Sequence, residues 1–187
     1  MNLAHLTGKK VRLTRWDFEL DTEALARWSQ DSEYIRLANS DPARIWTAWQ
    51  TKEWFEKRTD LDYCFAIHTV AEDKLIGNLD FDGIHPVVHN AWVGISIGER
   101  DYWSQGYGTE AMALLMRYGF DQLDLRRVSL TVFEYNTRAI HSYQKLGFVE
   151  EGRLRQWMLR GGRRWDLIYM GLLRTEWQAV QSQFLED

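Results

Sequence analysis

Residues 95–112 read ISIGERDYWSQGYGTEAM, and the reading of this stretch governs the rest of the chain. A strand-like alternating run stops, a polar loop follows, and Gly106 and Gly108 open a segment of good helix formers. Glycines at such a junction let the backbone come close to a ligand, and the first N–H groups of a helix point outward without partners. Those groups and the helix dipole favour an anion such as a diphosphate. The same spacing also suits a plain turn before a helix. Two nucleotide-binding patterns do not fit. No GxxxxGK followed by Ser or Thr occurs, and the three-glycine dinucleotide fingerprint needs a parallel βαβ unit, whereas the strands upstream read as antiparallel.

Working outward, HNAWVGISIG (89–98), LIGNLDFDGI (75–84) and YCFAIHTV (63–70) are strand-like runs, the last two joined by a turn at Glu72–Asp73. Such short connections imply antiparallel pairing. Further upstream, KKVRLTRW (9–16) predicts a first strand, and TEALARWSQ (22–30) a helix capped by Asp21 or Thr22. Ser40, Asp41 and Pro42 mark a loop, and Trp46, Trp49, Trp54 and Phe55 suggest a second short helix serving as core or lid packing. Downstream, QGYGTEAMALLMRYGF (105–120) has Ala111, Leu114, Leu115 and Tyr118 on one helical face. RRVSLTVFE (126–134) is a strand, and NTRAIHSYQKLGF (136–148) a helix with Asn136 as N-cap and Gly147 as C-cap. RLRQWML (153–159) and RRWDLIYMGLL (163–173) form a final hairpin around Gly161–Gly162, and residues 174–187 suit a short helix. With no repeat or linker, residues 1–187 read as a single α+β domain: a mixed, mostly antiparallel sheet flanked by helices.

Composition narrows the function. The chain has 187 residues, 45% of them hydrophobic and 27% charged, which is ordinary for a globular protein. Its formal charge, 23 − 27 = −4, argues against nucleic acid as a partner. A lone cysteine, Cys64, excludes an internal disulfide and a cysteine-rich zinc site. The absence of a long apolar run argues against a membrane, and with no apolar leader at the N-terminus a cytoplasmic location is expected. Residues 61–110 carry eight acids against two bases, a local charge of −6 that draws cations or simply stays solvated.

WSQGYGTEA (103–111), followed after one strand by NTRAIHSYQKLGF (136–148), resembles the acetyl-CoA-binding core of the GNAT superfamily of N-acetyltransferases. EGRLRQWMLRGGRRWDLIYMGLL (151–173) is similar to the branch with ribosomal-protein N-terminal and spermidine acetyltransferases. The resemblance runs from Lys9 to Leu173 and is strongest from Trp92 to Phe148. It implies a GNAT-like fold with a splayed central strand pair, acetyl-CoA as co-substrate, no metal, and direct transfer of acetyl to a primary amine on a small molecule or a peptide N-terminus. A homodimer is compatible with it. A non-catalytic acyl-CoA-binding module of the same fold is the alternative.

Residue by residue, the resemblance implies that the loop Ser104, Gln105, Gly106, Tyr107, Gly108 and Thr109 holds the diphosphate through backbone N–H groups. Trp103 departs from the Arg or Gln usual at its position and otherwise reads as a core aromatic. The strand Val93, Gly94, Ile95, Ser96, Ile97 is implied to carry a bulge and to take the pantetheine arm; Gly94 suits such a bulge and equally suits a packing position. Asn136 adds a cofactor contact to its capping role, Arg138 is a candidate for the 3′-phosphate, and Tyr143 is implied to protonate the departing thiolate. Thr131 stands where some relatives have a glutamate base. Glu134, Asp80, Asp82, His85 and His89 remain as candidate bases. Asp80 and Asp82 share one strand face and equally suit a substrate-attracting wall. Arg153, Arg155, Arg160, Arg163 and Arg164 keep the hairpin edge charged or meet an acidic partner.

Overall fold

The computed structural model describes residues 6–17, 21–40, 47, 49, 50, 53 and 63–185. In chain order the elements are β1 (Val11–Arg15), α1 (Thr22–Trp28), α2 (Ser32–Ala38), β2 (Cys64–Thr69), β3 (Leu75–His85), β4 (Asn90–Ile97), α3 (Tyr107–Asp121), β5 (Arg127–Phe133), α4 (Thr137–Lys145), β6 (Val149–Arg160), β7 (Arg163–Leu173) and α5 (Arg174–Val180). The seven strands lie in the order β1-β2-β3-β4-β5-β7-β6. Every neighbouring pair is antiparallel except β4 and β5. The mixed, mostly antiparallel sheet expected from the sequence is what forms.

Period-2 alternation gives the sheet two faces. Leu79, Phe81, Ala91, Val128 and Leu130 turn into the main core beneath α3, whose residues Ala111 to Met116 are all buried. At Gly119 a Cβ would sit 2.5 Å from Phe81 Cζ, so the helix lies directly on the sheet. On the opposite face Cys64 and Ala66 meet Trp16 in a smaller cluster. Trp28 of α1 packs over Gly98, where a Cβ would fall 1.9 Å from its ring, and its Nε1 donates to Glu99 Oε1 at 2.8 Å. Gly98→Ala should therefore cost about 1–3 kcal/mol by overpacking. In a thermal melt that is a Tm drop of roughly 3–10 °C, and an unchanged melting temperature would show that Trp28 is not seated as described.

Several termini follow their sequence. Asn136 Oδ1 accepts from Ala139 N at 3.3 Å, which is the expected N-cap of α4. That helix ends with Phe148 N bonded to Tyr143 O and Gly147 N to Gln144 O, a Schellman closure that needs the positive φ of +93° at Gly147. Gly161 and Gly162 both have positive φ in the β6–β7 turn. Asp21 departs from expectation: its carboxylate accepts from Asp17 N instead of capping α1. The C-terminal helix is also shorter than 174–187, giving way to a 3₁₀ turn at Gln181–Gln183. Trp49 is 69% exposed and so is not core packing. Trp46, Trp54 and Phe55 lie outside the described residues, while Trp49, Gln50 and Glu53 among them are helical, as the sequence led one to expect.

The β6–β7 arginines are more specific than a charged fringe. Arg160 Nη1 donates to Arg36 O at 2.7 Å and to Asn39 O at 3.2 Å, closing the C-terminal end of α2, while Arg153 pairs with Glu150. No helix among the described residues is long and apolar enough to cross a membrane.

Candidate active site

The parallel contact between β4 and β5 covers only Asn90, Ala91 and Trp92 opposite Arg127, Val128 and Ser129. Beyond Trp92 the two strands part, while β4 stays in unbroken register with β3 from Asp82↔Trp92 to Gly77↔Ile97. The splay expected from the resemblance is present. The bulge expected near Gly94 is not: Gly94 pairs regularly with Asp80, and the irregularity sits on β3 between Asp82 and His85, where Gly83 takes a φ of +58°. A Cβ at Gly94 would lie 3.1 Å from Asp80 Oδ1, so this glycine makes room for a side chain.

Which backbone groups line the gap follows from two hydrogen bonds. Gly98 N donates to Ile76 O, so it faces β3. Ile97 O accepts from Trp103 Nε1 at 2.8 Å and so faces the other way. Alternation then turns Val93, Ile95 and Ile97 toward the gap and Gly94 and Ser96 toward β3. Trp103 accordingly has a definite place: its indole occupies the last gap-facing carbonyl and leaves the Ile95 groups open.

At the end of the gap stands the N-terminus of α3. Gly106 is its N-cap with φ +87°, and no side chain caps it. The N–H groups of Tyr107, Gly108 and Thr109 have no helical acceptor at that position, and the first intrahelical bond is Glu110 N to Gly106 O. The loop is held from outside. Lys10 Nζ donates to Gln105 O at 2.7 Å, and the Glu110 carboxylate accepts from the backbone N–H groups of Lys9 and Lys10. At Gly108 an added Cβ would lie 3.4 Å from Ile97 Cγ1, in contact with the floor of the gap.

A cavity of about 330 Å³ joins these features. Of the residues expected to bind cofactor, Ile95, Ser96, Ile97, Ser104, Gly106 and Gly108 line it, and so do Thr109, Asn136 and Arg138. Tyr143 lines it as well. Three others turn their side chains elsewhere. Val93 is buried in the core, Gln105 bonds Asp101 O, and the Tyr107 ring packs edge-on against Tyr102. For these only backbone groups are available. Sequence reasoning missed the α2 wall of Tyr34, Leu37 and Ala38, because a seven-residue helix with one strong aromatic gives little periodic signal. It also missed Ser142, Lys145 and Ala139 on α4. Helical spacing would have found all three, Ser142 and Lys145 lying four and seven residues after Arg138 and Ala139 four before Tyr143, positions that share a face. Ser142 Oγ and Thr109 Oγ1, 2.7 Å apart, tie α4 to the start of α3.

Tyr143 is partly buried, stacks obliquely on Phe148, and has its phenol pushed up to about 12 by burial, against the opposing pull of the Arg138 charge. It therefore holds its proton across the neutral range. The Arg138 guanidinium lies over the Trp103 ring, 4.0 Å from its centre, and burial lowers its pKa from the usual arginine range.

The candidate bases separate by position. His85 Nδ1 accepts from the backbone of the β3–β4 turn, and His89 Nδ1 lies 3.0 Å from Asp124 O. Both flank Asn90, six residues and about 20 Å of strand from Ser96, which removes them from the cavity. Glu134 accepts from Asp166 N and approaches Arg153, a structural engagement. Thr131 pairs with Tyr169 on β7. Asp80, opposite Gly94, is the acid brought nearest Ser96 by the β3–β4 register, with Asp82 one step further along the same face.

The chain's residues 10–149 match the acetyltransferase (GNAT) domain family. The chain belongs to that family. This GNAT protein is 30% identical over 172 residues to the uncharacterized N-acetyltransferase p20 of Bacillus licheniformis, covering 89% of this chain and 95% of that one. It is 31% identical over 160 residues to the spermidine N(1)-acetyltransferase of Escherichia coli K12, covering 80% and 84%. The crystal structure of spermidine N-acetyltransferase from Vibrio cholerae in complex with CoA and spermine superposes with a TM-score of 0.79 at 20% identity, over 90% of this chain and 98% of that chain, which shows a shared fold. The protein is thus an acyltransferase of the N-acetyltransferase type. An uncapped helix start, a left-handed glycine and nearby cations are a donor set that fits the diphosphate of acetyl-CoA.

Proposed function

We propose that this protein transfers acetyl from acetyl-CoA directly to a primary amine. The amide groups at the start of α3 would hold the diphosphate, the open edge of β4 would take the pantetheine arm, and Tyr143 would act as proton donor. The observation that carries this reading is the single cavity shared by Gly106, Ile95 and Tyr143. When bound, acetyl-CoA supplies a thioester carbonyl for an amine to attack. The Ile95 N–H, turned into the gap, is a fixed donor for that carbonyl oxygen. Tyr143 keeps its proton at the phenol oxygen until the thiolate needs it. Arg138 and Lys145 offer cations to the nucleotide end of the cavity, Arg138 remaining our candidate for the 3′-phosphate.

A cationic amine suits the acceptor side, where Asp80 and Asp82 share a face, and the spermidine acetyltransferases among the relatives act on such a substrate. Calorimetry with acetyl-CoA, followed by thiol release with spermidine, n-butylamine and a peptide with a free N-terminus, tests the proposal. Binding without turnover on any of them would favour the non-catalytic module instead.

Direct transfer needs no enzyme nucleophile. Cys64 is buried in β2 beneath Trp16, a small apolar side chain in its setting. Cys64→Ala should keep turnover within about twofold, with stability falling by about 1 kcal/mol at most. Complete loss of activity in a folded variant would instead point to an acyl-cysteine step.

A further inference from the structure

The α2 wall of the cavity carries one hydroxyl whose hydrogen bonding is directional. Tyr34 is 8% exposed, lines the cavity beside Ser96, and its oxygen lies 3.0 Å from Ser96 Oγ. Ser96 Oγ donates its own hydrogen to Asn78 Oδ1 at 2.6 Å, across the β3–β4 pair. A serine hydroxyl has one hydrogen, so the 3.0 Å contact has its polarity fixed: Tyr34 donates and Ser96 accepts. The phenol oxygen is left with its acceptor capacity and with no hydrogen to offer elsewhere. It sits on the acceptor side of β4, since Ser96 belongs to the face of Asp80 and Gly94 while the Ile95 backbone faces the gap.

From this geometry we infer that Tyr34 docks the acceptor, its phenol oxygen accepting a hydrogen bond from the attacking amine and aiming the nitrogen lone pair at the neighbouring gap. The inference rests on the acetyl-transfer reading above and adds a residue to it. Tyr34 is an orienting group and takes no proton. Burial raises its pKa above that of an ordinary phenol, so it stays neutral throughout the working range, and Asn78 at the end of the chain of bonds is no proton acceptor. Asn78 acts at one remove, as a positioning residue that keeps the serine hydrogen away from the tyrosine. Without it, Ser96 is free to donate to the Tyr34 oxygen and occupy the site the amine needs.

Steady-state kinetics on Tyr34→Phe and Asn78→Ala, with spermidine, n-butylamine and a peptide of free N-terminus as acceptors, decide the matter. In Tyr34→Phe the ring packing against Trp28 is retained. The KM for the amine should rise about tenfold, the scale of one lost hydrogen bond in a buried site, while acetyl-CoA affinity by calorimetry stays within about twofold of the parent. Asn78→Ala should shift the same constant in the same direction, though it does not line the cavity. The acidic limb of the pH–rate profile should keep its midpoint in both. An unchanged amine KM in Tyr34→Phe overturns the inference. So does an equal loss of affinity for both substrates, which would mark a merely structural role. Loss of the acidic limb would also overturn it, because the tyrosine would then be the base. If the parent acetylates none of the three amines, the proposed function itself falls and takes this inference with it. An active parent with an indifferent Tyr34→Phe sinks the inference alone.

Discussion

Gly106→Val should weaken acetyl-CoA binding by roughly a hundredfold, the largest loss of cofactor affinity expected of any single change in the cavity. Two physical terms combine. Gly106 holds a φ of +87°, a conformation that a β-branched side chain adopts only under strain of about 1–3 kcal/mol. Relieving that strain rotates the peptide that opens α3, and with it the amide groups of Tyr107 and Gly108 that no side chain caps. An anion site made of backbone donors depends on their convergence, so a rotated first turn loses several weak contacts together. Space alone is not the obstacle, since the nearest atom to an added Cβ is Lys10 Nζ at 3.8 Å. Gly106→Ala should accordingly fall between parent and valine variant. Calorimetric titration with acetyl-CoA reads the effect directly, with far-ultraviolet circular dichroism confirming that the fold is retained. A valine variant with parental affinity would remove the diphosphate from this helix.

Tyr143→Phe should lower kcat by roughly a hundredfold or more while the dissociation constant for acetyl-CoA stays within about threefold of the parent, the split expected when a proton donor is removed and its ring retained. The phenol is pushed up to about 12 by burial. An acid with a raised pKa carries its proton below that value and loses it only above it. The activity that depends on this proton is therefore present through neutral pH and declines only in strongly alkaline solution. A basic limb below about pH 10, the range of an unperturbed phenol, would belong to a different group and should persist in Tyr143→Phe. If kcat is unaffected, the thiolate leaves without help from this residue.

Most of the cofactor side was legible because its signals are local. Gly106 and Gly108, the helix formers behind them and the Asn136 cap each specify geometry within a few residues, and α3 and α4 form where these place them. The α2 wall of the cavity was not legible. Tyr34 reaches Ser96 across 62 residues of sequence, and neither residue type announces the pairing. Gly94 stayed open between bulge and packing for a related reason: a glycine in a strand serves either, and only the neighbouring strand, here Asp80, decides for packing. The Trp103 departure became intelligible once its indole was seen on the Ile97 carbonyl.

The contact of Arg160 with the carbonyls of Arg36 and Asn39 spans up to 124 positions of the chain. Loop closure over such separations is entropically demanding and comes late in folding. The loop that opens α3 carries a comparable demand, since Lys10 Nζ reaches Gln105 O across 95 positions. During synthesis the C-terminal end of α2, which walls the cavity, thus acquires its fastening by Arg160 only when the final hairpin has emerged.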